Sequence, residues 1–219
     1  MMTSQFEFYC RALGNALVRT RVYWGHGGCS FTEQVENFGL PAGFEWGWPG
    51  CNEMADIFTR LPAHDRTEVL GPWTRYQYTN QLEFSYMILL YHQYSCQDIE
   101  QYLPFIKESI RFFDEHYRFM HRLNTNYEYN AEGKLVLFPS TACETYKDAT
   151  DPTDLVAALH TTIRALINIG GSYLSQEEST YFKSLLDRLP ALSFEEKDGR
   201  RLLAPARSWS HIINSELPQ

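Results

Sequence analysis

Glu144 is the side chain of this sequence best suited to carry out chemistry. It lies in the tract 137–152, close to Phe138 and Tyr146 and shortly before a predicted helix. Apolar neighbours raise the pKa of a carboxyl group by desolvation, as a general acid at neutral pH requires. The sequence also allows a structural role, in which this carboxylate caps backbone N–H groups or pairs with Lys147.

A second group of candidates lies in a stretch rich in glycine and aromatic residues, residues 24–50. Long loops of this kind inside a domain tend to be functional. Trp24 could stack on a sugar ring and His26 could hydrogen-bond to it, although a Trp that only packs in the core explains the residue equally well. Glu33 or Glu36 could face the same opening as the predicted acid and supply a second carboxyl group there, or the two are a solvated or capping pair at the start of a helix.

Other common catalytic patterns are absent from the sequence. The segment 25–28 is rich in glycine but lacks the Lys-Ser/Thr of a phosphate-binding loop, and Ser140 has no G-x-S-x-G setting. The seven histidines show no metal-ligand spacing, and the five cysteines include no C-x-x-C pair. We therefore expect no cofactor and no metal ion, and reduced thiols in place of a disulfide framework.

The composition argues against two kinds of partner. The chain has 219 residues, with 19 Lys and Arg against 27 Asp and Glu, a net charge of −8. An acidic chain without a basic block suits neither nucleic acids nor anionic membranes, and no apolar run approaches the roughly 18 residues of a membrane span. The N-terminus shows no export signal, so the compartment stays open, and a periplasmic or extracellular location is compatible with a full-length protein.

Apolar periodicity predicts helices over the first half of the chain. Residues 4–22 carry one apolar stripe with Ser4 as N-cap, and residues 79–94 are apolar on almost every side. From residue 98 to 120 a stripe in steps of four and three predicts a helix buried on one face. Pro104 opens the main part of this helix after one short turn. The last two helices are therefore expected to form an inner and an outer member of a pair.

The second half repeats this pattern. The composition of residues 127–138 predicts a β-hairpin around Asn130–Gly133. A helix follows from 151 to 170, and Ser175 with Glu178 forms a capping box for another. Residues 190–219 read as an irregular tract.

The predicted helices form pairs of unequal burial, and they are joined by short turns on one side and by long loops on the other. This arrangement predicts an all-α fold of the (α/α) toroid type, with a small β-hairpin in one loop. Six helical hairpins of roughly 50 residues would need about 300 residues. We therefore expect residues 1–219 to be a single partial domain of three to four hairpins.

The sequence resembles the six-hairpin glycoside hydrolases, in particular the inverting α-1,2-L-fucosidase family and related bacterial proteins. The resemblance is diffuse along the helices, from Gln81 to Phe113, and more specific around Glu144. Those fucosidases carry their general acid in a P-S-x-S-P-E-N tract, which Pro139, Ser140 and Glu144 match. Cys143 and Thr145 depart from it.

The resemblance implies a glycoside hydrolase that acts on an α-L-fucoside-like or related linkage of an oligosaccharide or polysaccharide, with inversion and with Glu144 as general acid. Such an enzyme needs a second carboxyl group about 6.5–9.5 Å away to activate water. The family's D-G-N-F-G tract, which carries that base, is absent; Asp198-Gly199 is the only Asp-Gly pair. The base is therefore expected outside this chain, in the remainder of its own domain, and the isolated chain is expected to be inactive or nearly so.

An alternative from another class is a non-catalytic carbohydrate-binding or scaffold toroid that has kept the acid and lost the base, or an inactive truncated fragment. Under either hypothesis the last predicted loop contributes further contacts. The predicted substrate-binding residues are Trp24, His26, Glu33, Glu36, Ser140, Tyr146, Asn214 and Glu216.

Overall fold

The computed structural model describes residues 2–32, 35 and 76–212, and the fold is that of these residues. They form a helix-rich protein with a small antiparallel sheet region, so the all-α prediction is too narrow. The helices are α1 (Met2–Trp24), α2 (Asn80–Ser95), α3 (Leu103–Thr125), α4 (Thr153–Ile169) and α5 (Gln176–Arg188). The strands are β1 (Ser140–Ala142), β2 (Tyr146–Pro152), β3 (Phe194–Lys197), β4 (Arg200–Leu203), β5 (Ala206–Ser208) and β6 (His211–Ile212).

The predicted start and apolar stripe of α3 and the capping box of α5 are confirmed, but α3 is also buried at Phe105, Phe112 and His116, so the single buried face and the outer position predicted for it are wrong. A 3₁₀ turn, Glu100–Tyr102, precedes α3, and Pro104 lies in its first turn. Every apolar residue of the predicted stripe is buried: Ile99, Leu103, Ile106, Ile110, Phe113, Tyr117 and Met120. At α5, Ser175 Oγ accepts from Glu178 N at 3.1 Å and the Glu178 side chain accepts from Ser175 N at 2.8 Å, which is the predicted capping box.

Helix α1 turns a slightly different face to the core than the sequence predicts. The helix begins before Ser4, which is therefore not its N-cap. Leu13 and Leu17 are only half-buried, whereas Ala12 and Ala16 are buried. The small alanine side chains allow α1 to lie close to its neighbours, and this moves the contact face round the helix by one residue.

Helix α2 is less buried than its apolar sequence predicts. Leu82 and Ile88 are buried, but Leu90 and Tyr91 are half-buried and Tyr94 is 81% exposed. One side of α2 and one side of α4 border a groove of about 640 Å³. Burial of this helix on every side is thus wrong for the described part of the chain.

Strand β2 is the centre of the main sheet. It pairs antiparallel with β1 along one edge, and with β5 and β6 in turn along the other. The pairing of Tyr146 with Ile212 and of Pro152 with Ala206 brings the tract after residue 205 back to β2. The prediction of an irregular tract after residue 190 is therefore wrong up to residue 212.

The hairpin predicted at residues 127–138 is also wrong. Its turn, Asn130–Gly133, forms and is closed by a 3.0 Å backbone hydrogen bond. Its flanks do not pair with each other, because Leu135 N donates to the C-terminal end of α5 at 2.8 Å and Leu137 exchanges hydrogen bonds with Asp151. The hairpin that precedes α4 is formed by β1 and β2.

A second hairpin, β3–β4, stands apart from this sheet. Phe194 pairs with Leu203 and Lys197 with Arg200 around the turn Asp198-Gly199. Both turn residues have positive φ, as a two-residue hairpin turn requires. Every residue of the two strands is exposed.

The helices form two adjacent hairpins. α2 packs against α3, α4 packs against α5, and α2 also contacts α4, while α1 packs on α3. One continuous core, which includes Phe6, Phe105 and Phe112, joins them. Two neighbouring helical hairpins are part of what an (α/α) toroid requires. These helices do not establish a closed ring, so the toroid stays a proposal.

The chain that leaves α1 folds back over α3. Cys29 N donates to Glu108 O at 3.0 Å, and Phe31 N donates to Oε1 of the fully buried Gln81 at 2.9 Å. These bonds fix the segment 25–32 between α1, α2 and α3, and with it the position of His26.

Candidate functional site

Glu144 lies at the tip of the β1–β2 hairpin and not after a hairpin, as the sequence predicts. The turn 143–145 connects the two strands, and Thr145 N donates to Ala142 O at 3.1 Å. Cys143 and Glu144 have φ of +49° and +54°, a left-handed conformation found in tight hairpin turns. Glu144 is half-buried, and the strand that follows it leads directly into α4.

Asp154, in the first turn of α4, reaches back to this turn. Its Oδ2 accepts a hydrogen bond from Cys143 N at 3.4 Å, and its Oδ1 accepts one from Leu155 N at 2.8 Å. Burial raises the pKa of Asp154, although these backbone hydrogen bonds favour its charged form. Because both carboxylate oxygens hold backbone N–H groups, Asp154 ties the turn that carries Glu144 to the start of α4.

Lys147 is the cation nearest in sequence to this carboxylate, and it is only 5% exposed. Burial lowers the pKa of its ammonium group, while the charges of Glu144 and Asp148 act in the opposite direction. Glu144 therefore lies within electrostatic range of a buried cation. This agrees with the structural alternative from the sequence, and the catalytic role stays a prediction.

An aromatic pair lies beside the same turn. Tyr146, the first residue of β2, packs edge-to-face against Trp209 with ring centroids 5.0 Å apart. Trp209 lies between β5 and β6 and is 36% exposed. Exposed aromatic rings next to carboxylates can bind the apolar face and the hydroxyl groups of a sugar. We call Glu144, Tyr146, Asp154 and Trp209 the hairpin site.

Trp24 and His26 belong to a different group, the imidazole cluster, which they form with Glu115 and His116 of α3. His26 Nε2 lies 3.2 Å from His116 Nδ1, and Glu115 Oε2 accepts from Gly27 N at 2.5 Å. The Trp24 ring stacks on His26 and is only 6% exposed. Little of this ring is left for a sugar, so the structure favours the packing role that the sequence left open.

The electrostatics of the imidazole cluster also indicate packing. Burial lowers the pKa of His26, and it lowers that of His116, which is 1% exposed, well below the usual value. Burial would raise the pKa of Glu115, but hydrogen bonds from Arg111 and Gly27 N hold it below its usual value. Both imidazoles are therefore neutral at pH 7.

Of the predicted site residues, the structure brings Ser140, Glu144 and Tyr146 together on the β1–β2 hairpin. Ser140 is 2% exposed and pairs in register with Ala149, so it serves the sheet. The remaining predicted contacts, Glu33, Glu36, Asn214 and Glu216, lie outside the described residues, as does most of the glycine- and aromatic-rich stretch.

Sequence reasoning missed two members of the hairpin site. Asp154 looks like an ordinary acidic residue in the first turn of a helix, and nothing local indicates that it reaches Cys143. Trp209 lies in the tract predicted as irregular. The only sequence feature that could indicate Trp209 as a site residue is its place between short polar segments, and this is a weak indication.

The described residues show neither a metal-ligand cluster nor a membrane-spanning helix. They contain no group of three or more His, Cys, Asp or Glu side chains that could hold a metal ion. Among their helices, none combines the length and hydropathy that spanning a bilayer requires.

The chain matches no model of a known protein family, and it matches no curated protein. The function proposed below therefore rests on the motif around Glu144 and on the geometry of the hairpin site.

Proposed function

We propose that this chain is part of a carbohydrate-active (α/α) toroid that hydrolyses a glycosidic bond, an α-L-fucoside-like or related linkage, with inversion. The observation that carries the proposal is the position of Glu144 at the tip of the β1–β2 hairpin, in a turn that Asp154 holds against the start of α4. The neighbouring Tyr146 and Trp209 rings supply a surface on which a sugar can stack.

In this mechanism Glu144 protonates the oxygen of the leaving group. We assign Asp154 a structural role in this proposal, since its two oxygens accept backbone hydrogen bonds from Cys143 N and Leu155 N. Its role is to hold the turn. The carboxylate that activates water belongs to a part of the domain outside this chain, and the chain alone is expected to show little or no hydrolysis.

The test is the variant Glu144→Gln, measured in the full-length protein on α-L-fucosides and related oligosaccharides. Turnover should fall at least about 100-fold, the lower end of what general acid catalysis contributes. Glu195→Gln is the matched control, since Glu195 is an exposed carboxylate of β3. Unchanged turnover in the folded Glu144→Gln protein would reject the assignment.

A second candidate function is glycan binding without catalysis. The Trp209 ring, which is 36% exposed and packs against the half-buried Tyr146, favours it, because an exposed ring can bind a sugar whether or not an acid acts on the bond. Calorimetric binding of fucosylated oligosaccharides without product release would support this function. Loss of that binding in Trp209→Ala would place the ligand at the hairpin site.

A further inference from the structure

The groove of about 640 Å³ between α2 and α4 has two walls of different character. Six side chains define these walls: Tyr86, Leu90 and Gln93 of α2, and Thr161, Arg164 and Asn168 of α4. Residues three and four apart share one face of a helix, so each set forms a stripe along its own helix. The volume is in the range of small-molecule binding sites. We call it the helix groove.

The walls of the helix groove are held by core packing. α2 contacts α4, and the side chains beneath the groove, Ile88, Ile163 and Leu166, are fully buried in one core. The groove is therefore preformed and does not depend on a loop closing over it. Arg164 follows Asp154 by ten residues of α4, which places it about 15 Å along the helix from the hairpin site. The two sites are thus separate.

Arg164 has no partner of opposite charge in the helix groove. It is exposed, and the described residues that line the groove include no aspartate or glutamate. Among the described residues no carboxylate pairs with it, whereas Arg118 and Arg188 both pair with the buried Asp114. Its five N–H donors are therefore accessible to a ligand that enters from solvent.

The charge of the lining indicates a ligand with one negative charge. Of the described lining residues, Arg164 is the only one with a permanent charge. A planar guanidinium group pairs with a carboxylate through two parallel N–H···O bonds. Gln93 and Asn168 lie in the last turns of α2 and α4, where the helix carbonyl groups carry partial negative charge. That charge disfavours a dianion such as phosphate, so a monocarboxylate suits the groove best.

The α2 wall supplies the apolar side of the groove. Tyr86 and Leu90 are half-buried and line it opposite the Arg164 stripe. Apolar side chains in this position gain free energy when a ligand removes their surface from water. From these observations we propose that the helix groove binds an organic carboxylate with an apolar body, the carboxylate on Arg164 and the apolar body against Tyr86 and Leu90.

The test is an NMR titration of the chain with phenylacetate, which joins one carboxylate to one apolar ring, up to about 50 mM because so small a ligand binds weakly. The side-chain amide resonances of Gln93 and Asn168 report on the groove and should shift in a saturable manner. Phenylacetamide lacks the charge and acetate lacks the ring, so each should bind at least about tenfold more weakly.

Variants of two exposed arginines locate the carboxylate. Arg164→Gln should raise the dissociation constant of phenylacetate at least about tenfold, because it removes the charged donor. Arg200→Gln is the matched control, since Arg200 is an exposed arginine of β4, and it should leave the dissociation constant unchanged.

Four results would overturn the proposal: no saturable shift with phenylacetate, equal affinity for phenylacetamide or for acetate, an equal response to sulfate, or unchanged affinity in Arg164→Gln. The titrations of the unaltered chain decide the first three without any variant. The proposal uses no residue of the hairpin site. Binding in the helix groove should therefore persist in Glu144→Gln, whatever that variant does to hydrolysis.

Discussion

Tyr181 Oη donates a 2.9 Å hydrogen bond to Asp114 Oδ2 and thereby joins α5 to α3. Asp114 is 1% exposed and is also paired with Arg118 at 3.2 Å and with Arg188 at 3.5 Å. A buried carboxylate is stable only when its charge is compensated, so each of these contacts matters. Burial and the neighbouring Asp114 charge raise the pKa of Tyr181, which stays protonated and donates.

The variant Tyr181→Phe should destabilise the fold by about 1.5–3 kcal/mol, because it removes a hydrogen bond to a buried charge. The measurement is chemical unfolding at pH 7. Tyr173→Phe is the matched control, since its hydroxyl donates to Asp98 at 3.0 Å in an exposed position, and it should leave stability nearly unchanged. If both variants lowered the free energy of unfolding by the same amount, the hydrogen bond to the buried Asp114 would contribute no more to stability than the exposed one.

Gly28 should not tolerate a side chain. It has φ of +83°, and a Cβ atom there would overlap the backbone of Phe112 on α3. Gly28→Ala should therefore lower the free energy of unfolding by about 3 kcal/mol or more, because alanine is strained in the left-handed backbone conformation and its Cβ atom displaces the segment. Gly25→Ala is the control, because Gly25 has a similar φ of +77° in open space. It should cost only about 1–2 kcal/mol, and the two variants are compared by thermal unfolding.

The imidazole cluster should make the protein sensitive to acid. The pKa of His116 is lowered in the folded state, whereas the unfolded chain titrates near 6.5. Below pH 6.5 the unfolded state therefore binds a proton that the folded state excludes, so stability is complete above this pH and falls below it. The loss is at most about 1.4 kcal/mol per pH unit for each such histidine.

Unfolding free energies measured between pH 7.5 and 5 test this expectation. His116→Phe should show a shallower loss of stability toward acid than the unaltered chain. His211→Gln removes an exposed imidazole of β6 and should keep the original slope. Identical slopes in the unaltered and His116→Phe proteins would contradict the assignment.

The capping box should contribute measurably to α5. Ser175→Ala removes the side chain that accepts from Glu178 N and should cost about 1 kcal/mol. Ser179→Ala, one turn further into the same helix, lacks this role and should be neutral or slightly stabilising because alanine favours helix. The unfolding free energies of both variants, measured in urea, show whether the loss comes from the cap or from replacing any serine of this helix by alanine.

The helices could be predicted from sequence because their signals are local. The stripe from Ile99 to Met120, the Pro104 start and the Ser175–Glu178 pair each depend on residues a few positions apart, and all three are confirmed. The sheet could not be predicted in this way. β1 has three residues, β2 contains Lys147, Asp148 and Asp151, and two of the three strands that pair with β2, namely β5 and β6, lie about sixty residues further along the chain.

The hairpin site was predictable only in part for the same reason. The position of Glu144 before α4 follows from its sequence neighbours, and its fucosidase-like role stays a proposal. The contact of Asp154 with Cys143 and the packing of Trp209 on Tyr146 depend on how the hairpin returns to the helix and how β6 returns to β2. The pattern of residue types along the chain does not show which distant segments come back into contact.

The solvent-exposed β3–β4 hairpin is a suitable site for inserting a tag or a label. Its Asp198-Gly199 tip joins two strands that contribute no buried residue, and exposed tips of this kind accept inserted sequence readily. An epitope or a fluorophore-labelling peptide grafted between these two residues should leave the helical core intact. Such a graft would let the chain be immobilised or tracked while sugar binding at the hairpin site is tested.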